Sequence, residues 1–127
     1  MAVRVLVVDD EQDFLDSIVM RLELRSIEVD GVGTGAAALE LLAAKPFDVI
    51  VLDIKMPGMD GIEVLRQVRR DHPGVEVIVL TGHASQEFRE LGRELGAFDY
   101  LIKPVRLDTV LERIQAACRR RRGTDCS

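Results

Sequence analysis

Val49-Ile50-Val51-Leu52-Asp53 decides how this chain is read: four apolar residues, three of them β-branched, run straight into a carboxylate. A run of this kind is a strand buried on both faces, which belongs to a parallel sheet covered by helices. Its last residue emerges at the strand's carboxyl end, where open α/β sheets build their sites. Working outward, the same pattern recurs. Val3 to Val8 is a buried strand ending in Asp9, Asp10 and Glu11, Val75 to Leu80 closes on Thr81, and Ala97 to Ile102 closes on Lys103-Pro104. Ile27 to Val32 alternates apolar residues with Glu28 and Asp30, so it reads as a short, partly exposed edge strand.

Helical periodicity fills the gaps between the strands. Phe14, Leu15, Ile18, Val19, Leu22 and Leu24 predict an amphipathic helix to about Arg25. Thr34 is an N-cap for a helix of Ala36 to Ala44, ended by Lys45-Pro46. Ile54 to Gly61, with two glycines and a proline, is a loop, after which Ile62, Val64, Leu65 and Val68 make a helix to about Asp71. Gly82-His83-Ala84-Ser85 opens a helix with thin apolar content, Phe88, Leu91 and Leu95, and with Gly92 inside it. An interior glycine costs about 1 kcal/mol relative to alanine, so this helix is expected to be marginal and mobile. The last helix, Arg106 to about Arg120, buries Leu107, Val110, Leu111, Ile114 and Ala117. Alternating strands and helices at short spacing mean parallel βαβ units in a doubly wound α/β fold.

Composition restricts function. The 127 residues make one domain, and 47% hydrophobic with 31% charged residues excludes a disordered or collagen-like chain. No apolar run reaches the roughly 18 residues of a membrane span, and no signal-peptide pattern opens the chain, so a cytoplasmic location is expected. Net charge is -5; setting aside the +4 of Arg119 to Arg122 leaves -9 on the rest, which argues against direct nucleic-acid binding by the body of the domain. Those arginines read as a solvated helix end favoured by the helix dipole, or as the start of a linker over 121–127. Cys118 and Cys126 read as free thiols, and His72 as a surface loop residue.

For five parallel strands the order 2-1-3-4-5 is expected, which sets the first and third strands side by side at the switch point. Asp9, Asp10 and Asp53 then converge, flanked by Thr81 and Lys103. Two carboxylates at ~4 Å repel by roughly 4 kcal/mol at an effective dielectric of 20, so three together call for a divalent cation. Oxygen ligands without His or Cys select a hard ion, and an open acidic site suits Mg²⁺ or Mn²⁺. A phosphoryl group is the natural further ligand, with Asp53 as nucleophile, Lys103 as cation and Thr81 as hydroxyl donor.

Asp9-Asp10 after the first strand, Asp53 after the third, Thr81 after the fourth and Lys103-Pro104 after the fifth resemble a response-regulator receiver domain of two-component signal transduction. The resemblance covers about Val3 to Cys118 and implies a flavodoxin-like (βα)5 receiver over 1–120. By this resemblance Asp53 takes phosphate from the phosphohistidine of a sensor histidine kinase or phosphotransfer protein. Asp10 ligates Mg²⁺ directly, Asp9 mainly through water, and the Lys55 backbone carbonyl completes the protein's share. Thr81 and Lys103 bind phosphoryl oxygens, Tyr100 is the switch aromatic, and Lys55 and His83 influence how long the phosphoryl group survives. The chain is then not a conventional enzyme: it catalyses its own phosphorylation and slow dephosphorylation. An output domain or downstream protein, and homodimerisation on phosphorylation, are the further partners implied. Thr81 moving towards the new oxygens would let Tyr100 turn inward and repack the surface of the fourth helix, fifth strand and fifth helix. A swing from 1:99 to 99:1 needs about 5.5 kcal/mol.

Two other classes fit part of the pattern. Gly31, Gly33 and Ala36 satisfy a G-x-G-x-x-G/A dinucleotide fingerprint, with Asp53 about 20 residues on. That reading leaves Asp9, Asp10, Thr81 and Lys103 unexplained, and its strand carries Glu28 and Asp30. A receiver fold serving as a binding scaffold without phosphorylation is the other.

Overall fold

The computed structural model describes residues 3–54, 61–82 and 86–123. Its elements alternate strictly: β1 (Arg4–Val8), α1 (Gln12–Glu23), β2 (Glu28–Val32), α2 (Gly35–Ala44), β3 (Val49–Leu52), α3 (Gly61–Asp71), β4 (Glu76–Thr81), α4 (Gln86–Glu94), β5 (Asp99–Ile102) and α5 (Leu107–Arg122). The strands form one parallel sheet in the order β2-β1-β3-β4-β5, as expected.

The period of two along each central strand divides the core. Val5 and Val7 of β1, Val49 and Val51 of β3, and Ile78 and Leu80 of β4 face the side packed by α1 and α5. Their alternating neighbours Leu6 and Val8, Ile50 and Leu52, and Val77 and Val79 face the side packed by α2 and α3. Every residue of β3 is buried, so a one-residue slip of register would exchange whole layers on both faces. The edge reading of Ile27 to Val32 also holds: β2 pairs only with β1, and its residues are half-buried or exposed. Thr34 caps α2, its side chain accepting from the Ala37 N–H at 3.1 Å.

Four expectations need correction. α1 stops at Glu23 and Leu24 is 76% exposed, because the chain tightens there and Ser26 turns it through a positive φ of 63°. The last strand begins at Asp99 rather than Ala97, whose N–H donates to the carbonyl of Gly92 and so belongs to the helix exit. The arginine run is a helix end with Arg119, Arg120 and Arg121 exposed, but its last two residues are paired as well as solvated. α5 continues through it, and Arg122 donates to both oxygens of Asp48 at 3.0 and 2.7 Å while Arg121 pairs with the same carboxylate at 3.2 Å. Finally, Cys118 is not a free thiol: it is fully buried on α5 and disulfide-bonded. Gly123, the C-cap of α5, is in the left-handed conformation. Cys126 lies outside the described residues.

In α4, Leu91 and Leu95 are only half-buried against the α2–α3 side of the core, in keeping with the thin apolar content read there. The side chain of Phe88 lies outside the described residues.

Candidate functional site

The parallel ladder delivers one polar group after another to a single edge. The Asp9 N–H donates to Val32 at 3.1 Å, the Asp53 N–H to Val8 at 3.0 Å and the Lys103 N–H to Thr81 at 2.8 Å. Each of these residues is held by the last rung of its strand, so its side chain is positioned by rigid backbone. Thr81 is itself the last residue of β4 and is fully buried. Asp9, Asp10, Asp53, Thr81 and Lys103 are therefore gathered at the carboxyl ends of β1, β3, β4 and β5.

One oxygen from each of Asp9, Asp10 and Asp53 lies within 4.8 Å of the others. Asp9 and Asp53 are buried while Asp10 is exposed, so the cluster has a closed floor and an open mouth. Lys103 spans it. Its Nζ stands 2.6 Å from Asp9 Oδ2, 3.3 Å from Glu11 Oε1 and 3.7 Å from Asp53 Oδ2. The Phe14 ring lies beneath, its centre 4.2 Å from Nζ.

Burial pushes the Asp9 carboxyl above its ordinary range, against the Lys103 ammonium and the Glu11 N–H, which donates to Oδ1 at 2.9 Å. Burial works against the Lys103 charge too, yet the bond to Asp9 and the charges of Asp9 and Asp53 outweigh it and hold the ammonium above its usual range. Tyr100 is raised by burial, with the Asp53 charge adding and Arg89 opposing, which puts the tyrosine within electrostatic reach of Asp53. One ammonium among these carboxylates leaves excess negative charge. An all-oxygen donor set with an open side fits a hard divalent cation that keeps some of its water.

Sequence reasoning found the polar residues but missed two of their neighbours. Glu11 was legible only as a third strand-end acid, and its contact with Lys103 spans 92 residues. Phe14 read as core of the first helix. Its position one turn after Asp10 was the signal that it stands at the cluster. Lys55 and His83 lie outside the described residues. Gly31, the first glycine of the dinucleotide pattern, has a packing role: a Cβ there would come within 2.8 Å of Val19 and 3.0 Å of Leu15 on α1.

A family model described as the response regulator receiver domain matches residues 5–115. The chain belongs to this family. The receiver is 38% identical over 127 residues to response regulator MprA of Mycobacterium bovis BCG, covering all of this chain and 55% of that protein. It thus spans about half the length of the curated relatives it matches. A CheY-like receiver domain protein from Methanospirillum hungatei JF-1 superposes with a TM-score of 0.93 at 32% identity, covering 97% of this chain and 98% of the other. Response regulator TrrA of Thermotoga maritima, solved in complex with Mg(2+)-BeF, gives a TM-score of 0.82 at 29% identity, covering 91% and 98%. Family membership and the packing role of Gly31 do not favour the dinucleotide reading. Among the described residues, no helix is long and apolar enough to cross a membrane.

Proposed function

We propose that this receiver is a phosphorylation-activated switch in which Asp53 accepts a phosphoryl group from the phosphohistidine of a sensor histidine kinase. The observation that carries the reading is the Lys103 ammonium, 2.6 Å from Asp9 and 3.7 Å from Asp53, beside a cluster of three carboxylates. An Asp53 oxygen forms the new P–O bond as the P–N bond of phosphohistidine breaks, the electron pair of that bond going to the ring nitrogen. The products are an acyl phosphate on Asp53 and free histidine. Because such a transition state is loose and spreads charge over the equatorial oxygens, the protein's task is positioning and charge neutralisation. β3 fixes the Asp53 carboxylate, Lys103 meets one phosphoryl oxygen, and the Thr81 hydroxyl donates to another.

Asp9, Asp10 and Asp53, with the Lys55 carbonyl, are the groups that would hold Mg²⁺, or Mn²⁺ in its place. Such an ion supplies the positive charge that lets a phosphoryl group approach three carboxylates. The complex of the Thermotoga relative with Mg(2+)-BeF supports this choice. Phosphorylation adds about -2 charge beside Thr81 and Tyr100, and α4, β5 and α5 carry the change to an output region or downstream protein. Lys55 and His83 are assigned to the lifetime of the phosphoryl group, and homodimerisation to the phosphorylated state.

Incubation with Mg²⁺ and acetyl phosphate followed by intact mass tests the reading. The wild type is expected to gain one phosphoryl group, and Asp53→Asn or chelated wild type none. An unmodified wild type with Mg²⁺ present overturns it in favour of a binding scaffold.

A further inference from the structure

We propose that Phe14 is a positioning residue for Lys103, its ring face holding the ammonium in place for the incoming phosphoryl oxygen. The inference rests on Asp53 as phosphoryl acceptor and adds a residue that the polar constellation does not include. Nζ lies 4.2 Å from the ring centre, well inside the roughly 6 Å over which a cation is attracted to an aromatic face. The Lys103 side chain is only 13% exposed, so little water competes with that attraction.

The remaining neighbours of Nζ show why such a platform is useful. A lysine has three N–H donors. Asp9 at 2.6 Å and Glu11 at 3.3 Å are within hydrogen-bond range, whereas Asp53 at 3.7 Å is beyond it. A bond to a further carboxylate would bind the ammonium more firmly but commit its donors to fixed acceptors. The ring attracts through charge and needs no lone pair, so it restrains Nζ beside Asp53 while a donor can still turn to an oxygen arriving there.

Sequence and fold put the ring in this place. Phe14 belongs to the first turn of α1, directly after the β1 exit that carries Asp9 and Asp10, and it packs half-buried on the α1–α5 side of the core. A leucine would fill apolar space there. It would leave a largely dehydrated ammonium without its aromatic neighbour.

The test uses the full chain with Phe14→Leu and with 3,4,5-trifluorophenylalanine at position 14, which keeps the ring's shape and strips its negative face. With saturating Mg²⁺ and acetyl phosphate, both variants are expected to phosphorylate Asp53 about three- to tenfold more slowly. The fluorinated protein should melt no more than about 4 °C below wild type and stay fully folded at the assay temperature. A wild-type rate in the fluorinated protein overturns the proposal, even if Phe14→Leu is slow, because the leucine effect is then packing alone. A second readout separates this from failure of the acceptor assignment. The ring should shift the Lys103 ε-methylene protons upfield in unphosphorylated wild type, and Phe14→Leu should return them. Absence of that shift overturns the stacking by itself; absence of phosphate on wild type overturns the acceptor reading.

Discussion

Replacing Gly61 with alanine strikes the junction between the strand that carries Asp53 and the helix that follows. A Cβ at this position would lie 2.2 Å from Ile54 Cα and 2.7 Å from both the Asp53 carbonyl oxygen and the Ile54 carbonyl carbon. Non-bonded carbons rest about 3.5–4.0 Å apart, so the two segments must separate by about 1.5 Å. All three atoms are backbone, and no side-chain rotation relieves the contact. Neither side is free to move: Ile54 is buried, the Asp53 N–H donates to Val8 at 3.0 Å, and the Gly61 N–H donates to Ile54 at 3.3 Å. Overpacking of a well-filled interior costs about 1–3 kcal/mol, and a backbone clash belongs at the upper end. At about 4 °C per kcal/mol for a chain of this length, Gly61→Ala should melt roughly 12 °C below wild type. The same displacement acts on Asp53 itself, so phosphorylation by acetyl phosphate should slow at temperatures where the variant is still folded. Gly33→Ala is the control, since its nearest contact, the Asp9 carbonyl oxygen, is at an ordinary 3.8 Å. Thermal denaturation by circular dichroism and an intact-mass time course read both effects. A Gly61→Ala protein melting within about 2 °C of wild type and phosphorylated at the same rate would refute the reasoning.

Asp48 should govern part of the acid stability. Burial raises its carboxyl, but the Arg122 guanidinium and the Arg4 N–H outweigh this and hold it below the usual carboxylate range. A folded value below the unfolded one means that the stabilisation is complete above the unfolded value of about 3.9 and is lost as pH falls through the lower folded value. Asp48→Asn is therefore expected to lose about 2 kcal/mol at pH 7 and to show a flatter decline than wild type below about pH 4 in urea midpoints. Parallel curves for the two proteins would contradict this. Thr34→Ala removes the bond to the Ala37 N–H and should cost about 1 kcal/mol by the same measurement, with no change in Asp53 phosphorylation.

The fold was legible because its signal is local. Val49 to Leu52 reads as a doubly buried strand because the run is short and three of its four residues are β-branched. The polar site was legible for the same reason, each member lying at or within two residues of a strand's carboxyl end. What escaped depends on tertiary contact. Arg121 and Arg122 appeared solvated because their partner, Asp48, is more than 70 residues away. Phe14 appeared to be ordinary core because helical periodicity records which face is apolar and not what approaches its rim. Leu24 fits the apolar spacing of the first helix, although the helix ends before that position.

Borohydride reduction of the phosphorylated protein tests the central claim most directly. Hydride converts an aspartyl phosphate to homoserine with release of phosphate, leaving a stable mark at the acceptor that peptide mass spectrometry can locate. The account requires homoserine at position 53 after treatment with Mg²⁺ and acetyl phosphate, and none in a sample never phosphorylated. Homoserine at position 9 or 10 in place of 53, or at no position in a protein that had gained phosphate, would contradict it.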